Sequence, residues 1–247
     1  MALPSDKQNL SDYFSVSGAR LLLSRYAGFP EVIPDDPSKW RADLFPMMRG
    51  IWNSQVSGGR SIYEISAELR RAADLFEQHP DGSHRSLKNL PKSESESNTP
   101  TTYRQIADYA EQWLSPLSGE DLYAVPMTSR ELHLRFPRLD HILPIYFGQD
   151  GVAVSDDMQD ATAEEGIRMY ISETHPQCPW QLPGAVAECS EALTLFHTEE
   201  QLDYFFSYVV HGGSSSEDFT DFFPLFIRLC TEHLKEAHSP LWQWPER

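Results

Sequence analysis

A chain of 247 residues with 40 % apolar and 23 % charged side chains can bury a sizeable core, which excludes global disorder and permits one large domain or two modest ones. The opening Met1-Ala2-Leu3-Pro4-Ser5-Asp6-Lys7 has no basic segment leading into an apolar one, and no apolar run approaches the roughly 18 residues of a membrane span. The net charge is −17 and the cysteines number three, too few and too odd for a disulfide framework, so a cytoplasmic protein is expected.

Residues 1–80 read as helical. Leu10, Phe14, Ser17 and Leu21 recur at helical spacing, although Gly18 weakens the middle. Asp35-Asp36-Pro37 has the form of a helix start, with an Asp cap and proline in the first turn. Trp40 and Leu44 follow on one face, and Pro46 should interrupt or restart the helix before Met48, Ile51 and Trp52. The clearest helix here runs from Ser61 to about Gln78. Ser61 and Glu64 have capping-box spacing, and Ile62, Ile65, Leu69, Ala72 and Phe76 form its apolar stripe.

Residues 81–101 change character. Turn formers give way to alternating Ser and Glu between Lys92 and Asn98, the composition of a mobile loop or linker. The remaining residues, 102–247, read as an acidic α+β part that could still form one compact unit with the first. A helix from Thr102 to Trp113 carries Tyr103, Ile106, Tyr109 and Ala110 on one face. Between Arg130 and Ser155 the pattern turns strand-like: Leu132, Leu134 and Phe136 alternate, Ile142 to Phe147 is a short apolar run, and Gln149-Asp150-Gly151 is a turn signal before Val152 and Val154. The fold class expected is therefore α+β, helix-rich with a small antiparallel central sheet. Thr162 to Ser172 is a helix, Ala192 to Phe196 could be a strand, and Thr198-Glu199-Glu200-Gln201 opens a helix with Leu202, Phe205, Phe206 and Val209 inside. Ser216-Glu217-Asp218 opens another, lined by Phe219, Phe222, Phe223, Phe226 and Cys230, with Pro224 kinking it or marking its true start.

The charge is unevenly placed. Residues 1–90 hold 11 basic and 11 acidic side chains, whereas residues 139–227 hold 16 acidic ones against Arg168 alone. Such a surface repels nucleic acid and anionic membranes and attracts basic partners, although a solvated face has the same composition. The acidic clusters stand at helix starts: Asp156, Asp157, Asp160, Glu164 and Glu165; Glu199, Glu200 and Asp203; Glu217, Asp218 and Asp221.

Chemical motifs are weaker. Asp156-Asp157-Met158-Gln159-Asp160 resembles the DDxxD motif by which isoprenoid enzymes hold magnesium, but no second metal motif accompanies it. His211-Gly212-Gly213 resembles an esterase oxyanion segment without a nucleophile elbow after it, and a helix end made by glycine explains it better. Ser57-Gly58-Gly59-Arg60-Ser61 could cradle an anion but lacks the spacing and lysine of a P-loop. His175, Cys178 and Cys189 could be three zinc ligands, with no fourth at motif spacing. No catalytic residue, metal site or cofactor is assigned on this basis.

The expected function is a non-enzymatic acidic binding protein that masks a basic protein partner, most specifically an immunity protein neutralising a toxin, with the eleven carboxylates above as its contact residues. The alternatives are an adaptor or structural subunit binding through apolar surface, for which Leu241-Trp242-Gln243-Trp244 is the motive, and a metal-assisted enzyme at Asp156, Asp157 and Asp160.

Overall fold

The computed structural model describes residues 11–27, 32–56, 59–113, 126–148, 151, 161–215 and 217–242. It is 73 % helical and holds no strand or sheet among the described residues, so the α+β class with a central sheet is corrected to a mostly α fold. The only β-type pairing among those residues is an isolated parallel bridge between Ile33 and Ser93. None of the described helices is long and apolar enough to cross a membrane. The chain divides into two compact units, residues 1–134 and 135–247.

The first unit contains α1 (Ser17–Leu22), which runs into a 3-10 turn at Leu23–Tyr26, then α2 (Pro37–Val56), α3 (Ile62–Gln78) and α4 (Thr99–Gln112), with α5 (Ser129–Arg135) at its end. The sequence rule for α3 holds in detail. Ser61 Oγ accepts the Glu64 N–H at 3.2 Å and the Glu64 carboxylate accepts the Ser61 N–H at 2.7 Å, closing the capping box. Its stripe, with Ile65, Leu69, Ala72 and Phe76, is buried against Tyr103, Ile106, Ala107 and Ala110 of α4. Pro46 does not end α2, which runs through it from Pro37 to Val56. The segment between α3 and α4 is tied to Ile33, which precedes α2: Ile33 donates its backbone N–H to Lys92 O and Glu94 donates its own to Ile33 O, both at 2.9 Å. Tyr103 donates its hydroxyl to Pro91 O at 2.7 Å, and Leu87, Leu90 and Ser93 are buried.

The second unit contains α6 (Leu139–Phe147), α7 (Ala163–Thr174), α8 (Cys178–Leu195), α9 (Glu199–Asp203) continuing as a π-helical turn over Tyr204–Val209, and α10 (Phe219–Ala237). Helix α10 packs on α8 and α7 through Phe222, Phe226, Leu229 and Cys230. Aromatic rings fill this core: Phe206 meets Phe223 edge-on at 5.1 Å and Phe147 meets Phe222 at 5.0 Å. Pro224 faces solvent and α10 continues past it without a break.

Each predicted strand in the described residues is helical, for a physical reason. Thr128 and Glu131 form a capping box that starts α5, and Leu132 and Leu134 lie in that helix. The apolar stretch 139–147 buries Leu139, Ile142, Leu143 and Phe147, a spacing of three, one and four that belongs to a helix face. Its first turn is capped from 50 residues away, where the Glu188 carboxylate accepts the N–H groups of Arg138 and Leu139, both at 2.9 Å. Residues 192–195 are the last turn of α8. The turn signal at Gln149-Asp150, with Val152 and Val154, lies outside the described residues.

Candidate functional site

Of the predicted contact carboxylates, Asp156, Asp157 and Asp160 lie outside the described residues. Several of the others have work inside the fold. Glu165 completes the capping box of α7, accepting the Thr162 N–H at 2.8 Å, and that hydrogen bond holds its carboxyl below the ordinary carboxylate range. Glu164 pairs with Arg168 one turn later, at 2.7 Å. Glu199 accepts the N–H groups of Phe219 at 2.7 Å and Thr220 at 2.9 Å, so it caps α10 from the start of α9. Asp203 accepts the Ser207 hydroxyl at 2.7 Å. Asp218 occupies the position before α10 without a side-chain cap.

Glu200, Glu217, Asp218 and Asp221 face solvent. The Glu199 cap ties the start of α10, with Asp218 and Asp221, to the start of α9, with Glu200. Two exposed aromatic rings continue the line from Glu200. Tyr204 and Tyr208 are 66 % and 68 % exposed and stack with ring centroids 6.2 Å apart. They follow Glu200 at steps of four residues, so a carboxylate and two phenol rings run along one side of α9 and its π-helical continuation. Sequence reasoning took the carboxylates and missed the tyrosines, which were legible as the residues outside the buried set Leu202, Phe205 and Phe206.

A second constellation lies where the end of α7, the start of α8 and the end of α10 meet. His175 caps α7, Cys178 is the first residue of α8, His233 is in the last turns of α10 and His238 follows that helix. One ligand atom from each comes within 4.8 Å of all the others. His233 Nε2 and His238 Nε2 are 3.2 Å apart, and the His175 ring centroid is 5.1 Å from that of His238. Cys178 is fully buried, its Sγ 3.6 Å from Ile171 O, and burial pushes its thiol pKa up. Burial, with His238 and His175 alongside, pushes His233 down. Cys189, the third ligand suggested by sequence, is not in this group; it lies buried in α8, its thiol pKa raised well above the ordinary value by desolvation.

The remaining motifs resolve into structure. Ser57 and Gly58 lie outside the described residues, and Arg60 of the same turn pairs with Glu68, whose carboxylate accepts the Ala19 N–H at 3.1 Å. At Gly213 a Cβ would stand 2.0 Å from Phe147 O, so close backbone approach requires glycine there. Leu241 and Trp242 are exposed, while Trp244 lies outside the described residues. Comparison with protein family models, curated proteins and solved structures finds no match to this chain.

Proposed function

We propose that this protein is a non-enzymatic binder that engages a basic protein partner through the acidic, tyrosine-bearing face of α9 and the start of α10. The observation that carries the reading is the exposed Tyr204–Tyr208 stack in line with Glu200, in a unit with 19 acidic and six basic side chains over residues 135–247. Carboxylates steer a cationic partner and set salt sensitivity. Tyrosines add contact area, a hydroxyl and a π face over which lysine or arginine can sit. Glu164, Glu165, Glu199 and Asp203 contribute field rather than direct contact, because their oxygens already serve this fold. A toxin whose basic cleft is masked is the most specific form of such a partner.

Affinity capture from lysate of the cells that make the protein tests this, run with the wild-type chain and with Glu200→Lys/Tyr204→Ser/Tyr208→Ser. The three positions are exposed, so the variant should fold normally. A basic protein retained at low salt, released at high salt and bound at least about tenfold more weakly by the variant is the expected result. Retention that ignores both salt and substitution would overturn the reading.

A further inference from the structure

We propose that His175, Cys178, His233 and His238 form a zinc site that clamps the end of α10 to the α7–α8 junction. Four donors from three separate stretches of chain converge, with every ligand atom within 4.8 Å of the rest. In tetrahedral zinc with bonds of about 2.0–2.1 Å to nitrogen and about 2.3 Å to sulfur, neighbouring ligand atoms stand roughly 3.3–3.6 Å apart. The His233–His238 separation of 3.2 Å is already close to that edge. The wider gaps close by a small turn of a ring, and His175, the exposed member at the end of α7, has room to make it.

The donor set selects the ion. Three imidazoles and one thiolate suit a borderline-soft cation, and four protein donors fill a tetrahedron, which makes the site structural rather than catalytic. Oxygen-seeking calcium or magnesium has no place in it. The spacing is that of structural zinc sites as well: two residues separate His175 from Cys178, and four separate His233 from His238. A groove of about 340 Å³ lined by Arg168, Ile171, Ser172, His175 and His233 supplies an entry path from solvent. Zinc binding would replace the thiol proton of Cys178, released to solvent, with a Zn–S bond, and three imidazole lone pairs would complete the shell.

The test uses the full-length chain without an affinity tag, freed of metal by chelator and then titrated with Zn²⁺ and with Co²⁺. One equivalent of zinc should survive gel filtration. Cobalt should give the visible bands of a tetrahedral site and a thiolate-to-cobalt charge-transfer band, and the latter should vanish in Cys178→Ser. His238→Ala, at a partly exposed position past the end of α10, should fold by circular dichroism and bind zinc more than about 100-fold more weakly. Chelator should lower the thermal midpoint of the wild type and leave that of His238→Ala unmoved. Zinc lost on gel filtration, or zinc binding unchanged in both Cys178→Ser and His238→Ala, would overturn the proposal.

Discussion

Glu131 and Arg49 show how much a single buried pair can decide. Their side chains are 2 % and 5 % exposed, and the guanidinium meets the carboxylate twice, at 2.6 Å and 3.0 Å. The same carboxylate also accepts the Thr128 N–H at 2.8 Å, so one side chain closes an ion pair and starts a helix. Glu131→Ala leaves a buried cation and an uncapped turn, and a loss of about 3–5 kcal/mol is expected in urea unfolding. Arg49→Met/Glu131→Leu should be more stable than either single change, because no charge is then stranded. Glu64 carries a pH dependence of known sign. Its bonds from the Ser61 N–H and hydroxyl hold its carboxyl below the ordinary 4.5 in the folded state. Its contribution is therefore complete above pH 4.5 and is lost as pH falls through the depressed folded value. The acid limb of stability against pH should flatten in Glu64→Gln, and an unchanged limb would count against the box.

At the scale of the helix, what could be read in advance was whatever is written locally. Ser61 with Glu64 and Thr162 with Glu165 mark helix starts within four residues, and both close as capping boxes. Thr128 with Glu131 carries the same spacing, but the stretch was read from the alternation of Leu132, Leu134 and Phe136 alone, which suggested a strand. The start of α6 was not legible, because its cap is Glu188, 50 residues on and from another helix. Glu188→Ala should orphan the N–H groups of Arg138 and Leu139 and cost about 1–3 kcal/mol, with helicity lost at α6. Glu188→Gln keeps one acceptor and should lose less; hydrogen exchange at Arg138 and Leu139 would separate the two. The His/Cys cluster escaped reading for a similar reason. His175 and Cys178 were visible as a pair, but His233 and His238 stand 55 residues beyond Cys178, and only the packing of α10 on α7 and α8 brings the two pairs together.

At the scale of the molecule, charge and core divide along the same line. Residues 135–247 carry 19 acidic and six basic side chains, net −13, whereas residues 1–134 carry 18 and 14, net −4. Each unit has its own buried centre: Trp40, Leu44, Leu69 and Tyr103 in the first, and Phe206, Phe222, Phe223 and Phe226 in the second. A unit that buries such a set within itself has what independent folding requires. Expressed separately, 1–134 and 135–247 should each be helical by circular dichroism and unfold cooperatively. Electrostatic steering acts through the surface that bears the charge, so the fragment 135–247 should retain salt-sensitive capture of a basic partner while 1–134 does not. Capture by 1–134 alone would move the binding face off α9, and a disordered 135–247 would show that its aromatic core needs the rest of the chain. The fragments also separate the two properties assigned to the second unit. Zinc binding by 135–247 with no basic partner would keep the clamp and discard the masking face, since Glu200, Tyr204 and Tyr208 share no residue with His175, Cys178, His233 and His238.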